Sequence, residues 1–270
     1  MGGKIGIIFM IMLCCLPIPH RTEAGISIVG GLTHERVANV DETYQGVILV
    51  RNIGDEPQEI KLYQTDYLFF FDGTNIYGQP GNALRSNANW ITFGPHRLVI
   101  PPQGTSEVHY TVEVPEGENS AGTYWSMIMV EEISKNSPEA SESEKGALKV
   151  GQVIRYGVQM VTHIGQSGTR RLEFLDTKFL RGEKSWFLQI DIENIGQRWL
   201  RPLVWAELYT AEGNFNGRFE GGKFRIFPGT SVRYKVDLNG VSEGNYKVLI
   251  VADCGGDDLF GATYALELKR

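Results

Sequence analysis

Tyr44-Gln45-Gly46-Val47-Ile48-Leu49-Val50-Arg51-Asn52-Ile53-Gly54 carries an apolar, period-two stretch that breaks at Asn-Ile-Gly. Trp186-Phe187-Leu188-Gln189-Ile190-Asp191-Ile192-Glu193-Asn194-Ile195-Gly196 does the same about 140 residues later. Alternation with β-branched and aromatic side chains is the signature of a strand, and Asn with Gly is the chemistry of the turn that ends one. The likeness continues downstream of both stretches. Each is followed by a polar segment, a Leu-Tyr pair (Leu62-Tyr63; Leu208-Tyr209) and an acidic-Gly turn (Asp72-Gly73; Glu212-Gly213). Each then shows Gly-Thr-Ser before an alternating strand (Gly104-Thr105-Ser106; Gly229-Thr230-Ser231), and Gly-x-Tyr opening an apolar one (Gly122-Thr123-Tyr124; Gly244-Asn245-Tyr246). Five features matched in order make the chain an internal repeat.

Other segments have the same character, among them Glu59 to Tyr63, Arg97 to Ile100, Glu107 to Val114, Tyr124 to Val130, Leu203 to Tyr209, Val232 to Leu238 and Tyr264 to Leu268. No stretch carries a helical apolar stripe. Many short strands separated by turns predict an all-β protein of two tandem immunoglobulin-like antiparallel sandwiches. The composition agrees with a globular chain: 42% hydrophobic and 21% charged, with 32 Gly and 11 Pro in 270 residues, enough for two cores without staples.

Lys4, an apolar run from Ile5 to Leu16, Pro17 and Pro19, and the short residues Thr22 and Ala24 before Gly25 have the layout of a secretory signal peptide over residues 1–24. The run is too short to cross a hydrocarbon core, which needs about 20 apolar residues. No later segment reaches that length. Removing 1–24 leaves 24 basic against 31 acidic residues and one cysteine, Cys254. A lone thiol forms no internal disulfide, and an acidic chain without a basic cluster is not built for nucleic acid. Residues 133–149 are rich in Ser, Glu and Lys. The alternating run Leu148, Val150, Gln152, Ile154, Tyr156, Val158, Met160 comes next. If that run returns to the first sheet, residues 133–149 are a hairpin loop, residues 25–165 form the first domain and residues 169–270 the second; the other reading is an inter-domain linker.

Chemistry-bearing motifs are few. His34, His96, His109 and His163 have no metal-ligand spacing, and nucleophile-elbow, phosphate-loop and dinucleotide fingerprints are missing, so neither a cofactor, a metal nor an enzymatic activity is expected. His34-Glu35 reads as a loop dipeptide. Asp253-Cys254-Gly255-Gly256-Asp257-Asp258 reads as a tight acidic turn; its alternatives are a cation loop or a reactive thiol, the latter opposed by the flanking carboxylates. Tyr67 to Phe71 reads as a core strand, with a ligand platform as its alternative, and Trp125 and Trp199 as candidate exposed aromatics that could equally fill sandwich cores.

The spacing from Arg36-Val37 to Val50-Arg51-Asn52, the polar loop 133–149, and the strand after it with Arg155 resemble the periplasmic pilus-chaperone (PapD-like) superfamily. The resemblance implies that Arg36 and Arg155 line the inter-domain cleft and anchor a partner's C-terminal carboxylate. It also implies that Leu148, Val150 and Ile154 belong to a strand offered to an exported subunit. The sequence departs from that pattern with Arg in place of Lys at the second basic position, and with Gly146, Gly151 and Gln152 where bulkier apolar residues are usual. The expected function is therefore binding of another exported or envelope polypeptide in the assembly of a surface structure, in the periplasm or at the cell surface. The alternative is a structural or adhesive surface module.

Overall fold

The computed structural model describes residues 25–117, 120–133, 153–183 and 185–269. The proposed leader and most of loop 133–149, with Leu148 and Val150, lie outside them. Among the described residues no helix is long and apolar enough to cross a membrane.

Four sheets pack as two sandwiches. In the first, one sheet runs β1 (Ile26–Val29), β3 (Thr43–Asn52), β8 (Thr105–Glu113), β6 (Ile91–Gly94). The facing sheet runs β2 (Thr33–Ala38), β10 (Arg155–Ile164), β9 (Gly122–Glu132), β4 (Gln58–Phe69), β5 (Asn75–Gly78), with β7 (Arg97–Ile100) also paired to β4. Inward residues of period two, including Ile48, Val50, Val108, Val112, Ile128 and Val130, fill the space between them. In the second sandwich, a sheet of β11 (Leu172–Arg181), β12 (Trp186–Asn194) and β15 (Ser231–Asp237) faces one of β14 (Phe215–Lys223), β13 (Leu203–Thr210), β16 (Gly244–Asp253) and β17 (Leu259–Leu268). Leu188, Ile190, Ile192, Leu208, Val248 and Ile250 are fully buried there.

The first strand changes sheets. β1 lies antiparallel to β3, and after Gly30, whose φ of 94° suits glycine, β2 crosses to lie parallel to β10. His34-Glu35 is thus in a strand, not a loop; β-branched and aromatic content is low there, but pairing with β10 overrides it. At the other end of the chain, the last hairpin closes tightly. Cys254 N–H donates to the Asp258 carbonyl at 3.0 Å, and Gly255 and Gly256 have φ of 87° and 61°, so Asp253 to Asp258 is the turn between β16 and β17. Burial, with the Asp258 and Asp253 charges adding to it, pushes the Cys254 thiol up to about 12, which keeps it protonated.

Candidate functional site

The outer side of β10 is only half covered. β2 pairs with Gln159 to Ile164, whereas Arg155 to Val158 have a ladder partner on one side only, β9. Glu132 N–H donates to the Ile154 carbonyl, which sets the alternation: Ile154, Tyr156 and Val158 bond towards β9, while the N–H and C=O groups of Arg155 and Gly157 point out of the sheet. No strand among the described residues meets them. Ile154, half-buried, sits at the start of this edge, and Val153 beside it is exposed.

Arg155 belongs to a cluster on the face of that sheet. Its Nε lies 2.7 Å from Glu131 Oε2, Lys61 Nζ lies 3.3 Å from Oε1, and the Tyr63 hydroxyl donates to Oε2 at 2.9 Å. Burial opposes ionisation of Glu131, but the bonds from Tyr63 and Lys61 and the two positive charges outweigh it and hold the carboxyl below its ordinary value. Arg36 is elsewhere. It is paired in register with Thr162, seven positions beyond Arg155, a separation of about 23 Å along the strand. Its guanidinium lies over the Tyr44 ring and near Glu42, on the sheet face opposite to Glu35 and Val37. The two arginines therefore do not share a cleft, and a carboxylate anchor made of both is not formed. Strand register sets their distance, and strand parity turns Arg36 away from the second sandwich.

Other residues meet between the sandwiches. Glu35 and His163, 128 positions apart, are brought together by the parallel pairing of β2 with β10 (Oε1 to Nε2, 2.9 Å). Arg225, from the second sandwich, donates to Glu35 Oε2 at 3.2 Å. Trp199 donates its indole N–H to His163 Nε2 at 2.8 Å and its backbone N–H to Thr123 Oγ1 at 3.0 Å. Thr123 Oγ1 is also 2.9 Å from His163 Nδ1, so a neutral imidazole with its proton on Nδ1 donates to Thr123 and accepts from Trp199, while Glu35 Oε1 faces Nε2 without a proton between them. Burial lowers the His163 pKa, against the pull of Glu35. Beside this network opens a cleft of about 830 Å3 whose walls include Arg170, Arg201, Lys223 and the Asp257–Asp258 turn. Arg170 is paired with Asp258 at 3.3 Å.

The aromatic residues singled out from the sequence lie at the same junction. Trp125 stacks on Phe227 with ring centroids 4.8 Å apart and donates to the Tyr67 carbonyl, and Phe69 meets Phe227 edge-on at 6.2 Å. The Phe71 ring lies under Arg233, which holds buried Asp191 by two bonds of 2.7 Å. Tyr67 to Phe71 is thus neither wholly core nor a ligand platform: its later residues join the sandwiches. Trp125 is buried and Trp199 half-buried, so of their two readings, exposed aromatic or core residue, packing rather than exposure holds for both. His163 and Glu35 were not separable from other polar strand residues by sequence; the signal available was their parity on two strands whose pairing the sequence does not state.

No family model and no curated protein matches the chain. Solved structures to which it is similar include a chain from a chaperone–tip adhesin complex of CFA/I fimbriae, 12% identical, with a TM-score of 0.48 over 90% of this chain and 98% of that one. The class 5 fimbriae chaperone CfaA is 11% identical, with a TM-score of 0.45 over 91% of this chain and 100% of that one. A chain of the CsuC–CsuE chaperone–tip adhesion subunit complex from Acinetobacter baumannii is 13% identical, with a TM-score of 0.44 over 88% and 98%. The fold itself is set by the strand pairing described above.

Proposed function

We propose that this chain is an exported, non-catalytic protein that binds an extended segment of another exported polypeptide along the uncovered edge at the start of β10. The partner class, a subunit of a surface structure under assembly, is the one the PapD-like resemblance implies. The observation that carries the reading is the half-covered edge itself. Arg155 and Gly157 present unpaired N–H and C=O groups in a strand otherwise locked between β9 and β2. An exposed strand edge is a template for another strand: the main chain supplies the bonds, and alternate side chains supply the pockets. In this reading Ile154, with Leu148 and Val150 before it in the alternating sequence, provides the apolar side chains of the docking strand.

Gly157→Pro tests it. The substitution removes an N–H that faces outward and so takes no bond from the β9 ladder, an edge position that proline tolerates. Gly157→Ala is the control, since its Cβ would meet only the movable side-chain ends of Met127 and Met129. The protein is purified from its native envelope and co-purifying polypeptides are identified by mass spectrometry. A stoichiometric exported partner retained by Gly157→Ala and lost by Gly157→Pro, with circular dichroism unchanged, is the expected result. A partner that survives Gly157→Pro, or none with the unaltered chain, overturns the reading.

A further inference from the structure

Among the described residues four strands of the second sandwich have a ladder partner on one side only, β11 and β15 in one sheet and β14 and β17 in the other, with β14 and β15 lying against each other. Three of them carry features that discourage a neighbouring strand. β11 breaks register between Phe174 and Asp176 and bears Glu173, Lys178 and Arg181. β14 breaks register twice against β13 and is interrupted by Gly217, Gly221 and Gly222. β15 points Arg233, Lys235 and Asp237 outward. β17 has none of these but a single glycine, Gly261. Its 10 residues stay in unbroken register with β16 from Leu259 to Leu268, without proline, lysine or arginine and with one carboxylate, Glu267.

The hairpin bond from Cys254 to Asp258 fixes which groups face outward. Phe260, Ala262, Tyr264 and Leu266 bond towards β16. The backbone N–H and C=O groups of Gly261, Thr263, Ala265 and Glu267 face away from the sheet, and no described residue meets them. Phe260 and Tyr264 pack on the core yet stay only partly buried, so an added strand would cover their rims.

We propose that β17 is the interface through which two copies of this chain pair, antiparallel, about a two-fold axis at Thr263. Self-pairing there sets Gly261 opposite Ala265 of the copy and Leu259 opposite Glu267, so every outward group finds a partner. The small residues at the centre admit close approach. Charge selects this register: it brings Lys269, whose only partner among the described residues is Glu267 on its own chain at 2.6 Å, opposite exposed Asp257 of the copy at each end. A slip of two residues towards the turn would instead set Glu267 against Asp257. The contact is closed and isologous, and it removes the one unprotected border of the second sandwich. It leaves the β10 edge free and does not depend on the function proposed for that edge.

Analytical ultracentrifugation of the purified exported chain, with three variants, tests the proposal. The unaltered protein is expected to sediment as a concentration-dependent dimer. Thr263→Lys faces two ammonium groups across the axis and should weaken the dimer at least about tenfold, with unchanged circular dichroism. In a Cys254→Ser background, Thr263→Cys should form a disulfide-linked dimer on mild oxidation, because opposed residues in such a pair lie about 5.5 Å apart, within disulfide reach. Phe215→Cys on β14, in the same background, should not. A monomer at every concentration, a dimer indifferent to Thr263→Lys, or a dimer that Thr263→Cys fails to cross-link overturns it.

Discussion

At Asn52 the side-chain amide donates to the Glu56 carbonyl at 2.7 Å and the Ile100 carbonyl at 3.1 Å, and its oxygen accepts from Gly54 N–H at 2.9 Å. At Asn194 the same bonds run to the carbonyls of Arg198 at 2.8 Å and Ile226 at 2.9 Å, and from Gly196 N–H at 2.9 Å. Both asparagines are buried. The residues inside the corners differ. Asp55 and Glu56 are exposed. Gln197, in contrast, accepts Thr123 N–H at 2.8 Å, Arg198 donates to the Gly165 and Ser167 carbonyls at 3.0 and 3.1 Å, and Trp199 bonds Thr123 and His163. The same clasp serves one sandwich as an internal corner and the other as its point of attachment. The repeat thus specifies the unit, and the few residues enclosed by the second clasp specify how the units join.

The strongest way to break the joint while sparing the clasp is at Gly122. Its φ is 83°, and a Cβ there would come within 2.1 Å of the Gln197 carbonyl oxygen, a backbone atom with no freedom to swing aside. Gly122→Ala is expected to cost about 3 kcal/mol or more, from the left-handed backbone and the overlap together. It should split a single calorimetric unfolding transition into two. Gly244 is its counterpart in the second copy of the repeat; its φ of 156° also disfavours a side chain, but a Cβ there meets only the Tyr246 side chain, at 3.5 Å or more. Gly244→Ala should cost less and leave the coupling of the sandwiches intact. A single transition in Gly122→Ala would show that this contact does not couple them.

Next in size are the clasps. Asn52→Ala and Asn194→Ala each remove a buried donor and acceptor and leave carbonyls unsatisfied, for an expected loss of about 2–3 kcal/mol in urea denaturation. The costs should be similar, but Asn194→Ala alone should loosen the junction, read as faster hydrogen exchange at Thr123. Equal exchange in both variants would mean that the second corner holds its position without the clasp.

Much of the architecture is legible in the sequence. Period-two runs ended by Asn-Ile-Gly identify strands and their repetition, because side-chain alternation is local physics. Pairing between distant strands is not local. Nothing in Thr33 to Ala38 states that it leaves one sheet at Gly30 and lies parallel to β10, yet that choice brings Glu35 to His163 and turns Arg36 away. The aromatic residues were legible as important and illegible as to partner. Trp125 and Phe69 are apolar in the manner of core residues, and the core they serve is shared with Phe227 of the other sandwich.

The smallest expected effect sharpens the comparison through protons, since the second corner reaches across to a titratable group of the first sandwich, His163. His163 is buried, and burial lowers its pKa below the ordinary 6.5 despite Glu35; the Arg198 and Arg225 charges act in the same lowering direction. A histidine whose folded pKa is depressed binds fewer protons when folded than when unfolded in the window just below 6.5. Stability must then rise with pH through that window and flatten above it. A proton arriving at Nε2 also takes away the acceptor of the Trp199 indole N–H and offers a charge-assisted bond to Glu35 instead. His163 therefore exchanges a bond to the second sandwich for one within the first. Tryptophan fluorescence and urea stability measured between pH 5 and 7 should change together, and His163→Gln should abolish the fluorescence change and leave only the part of the stability change that belongs to His34, whose pKa burial also lowers. If His163→Gln retains the full pH dependence, the titrating group is another one, and the Trp199–His163 bond does not exchange with protons in this range.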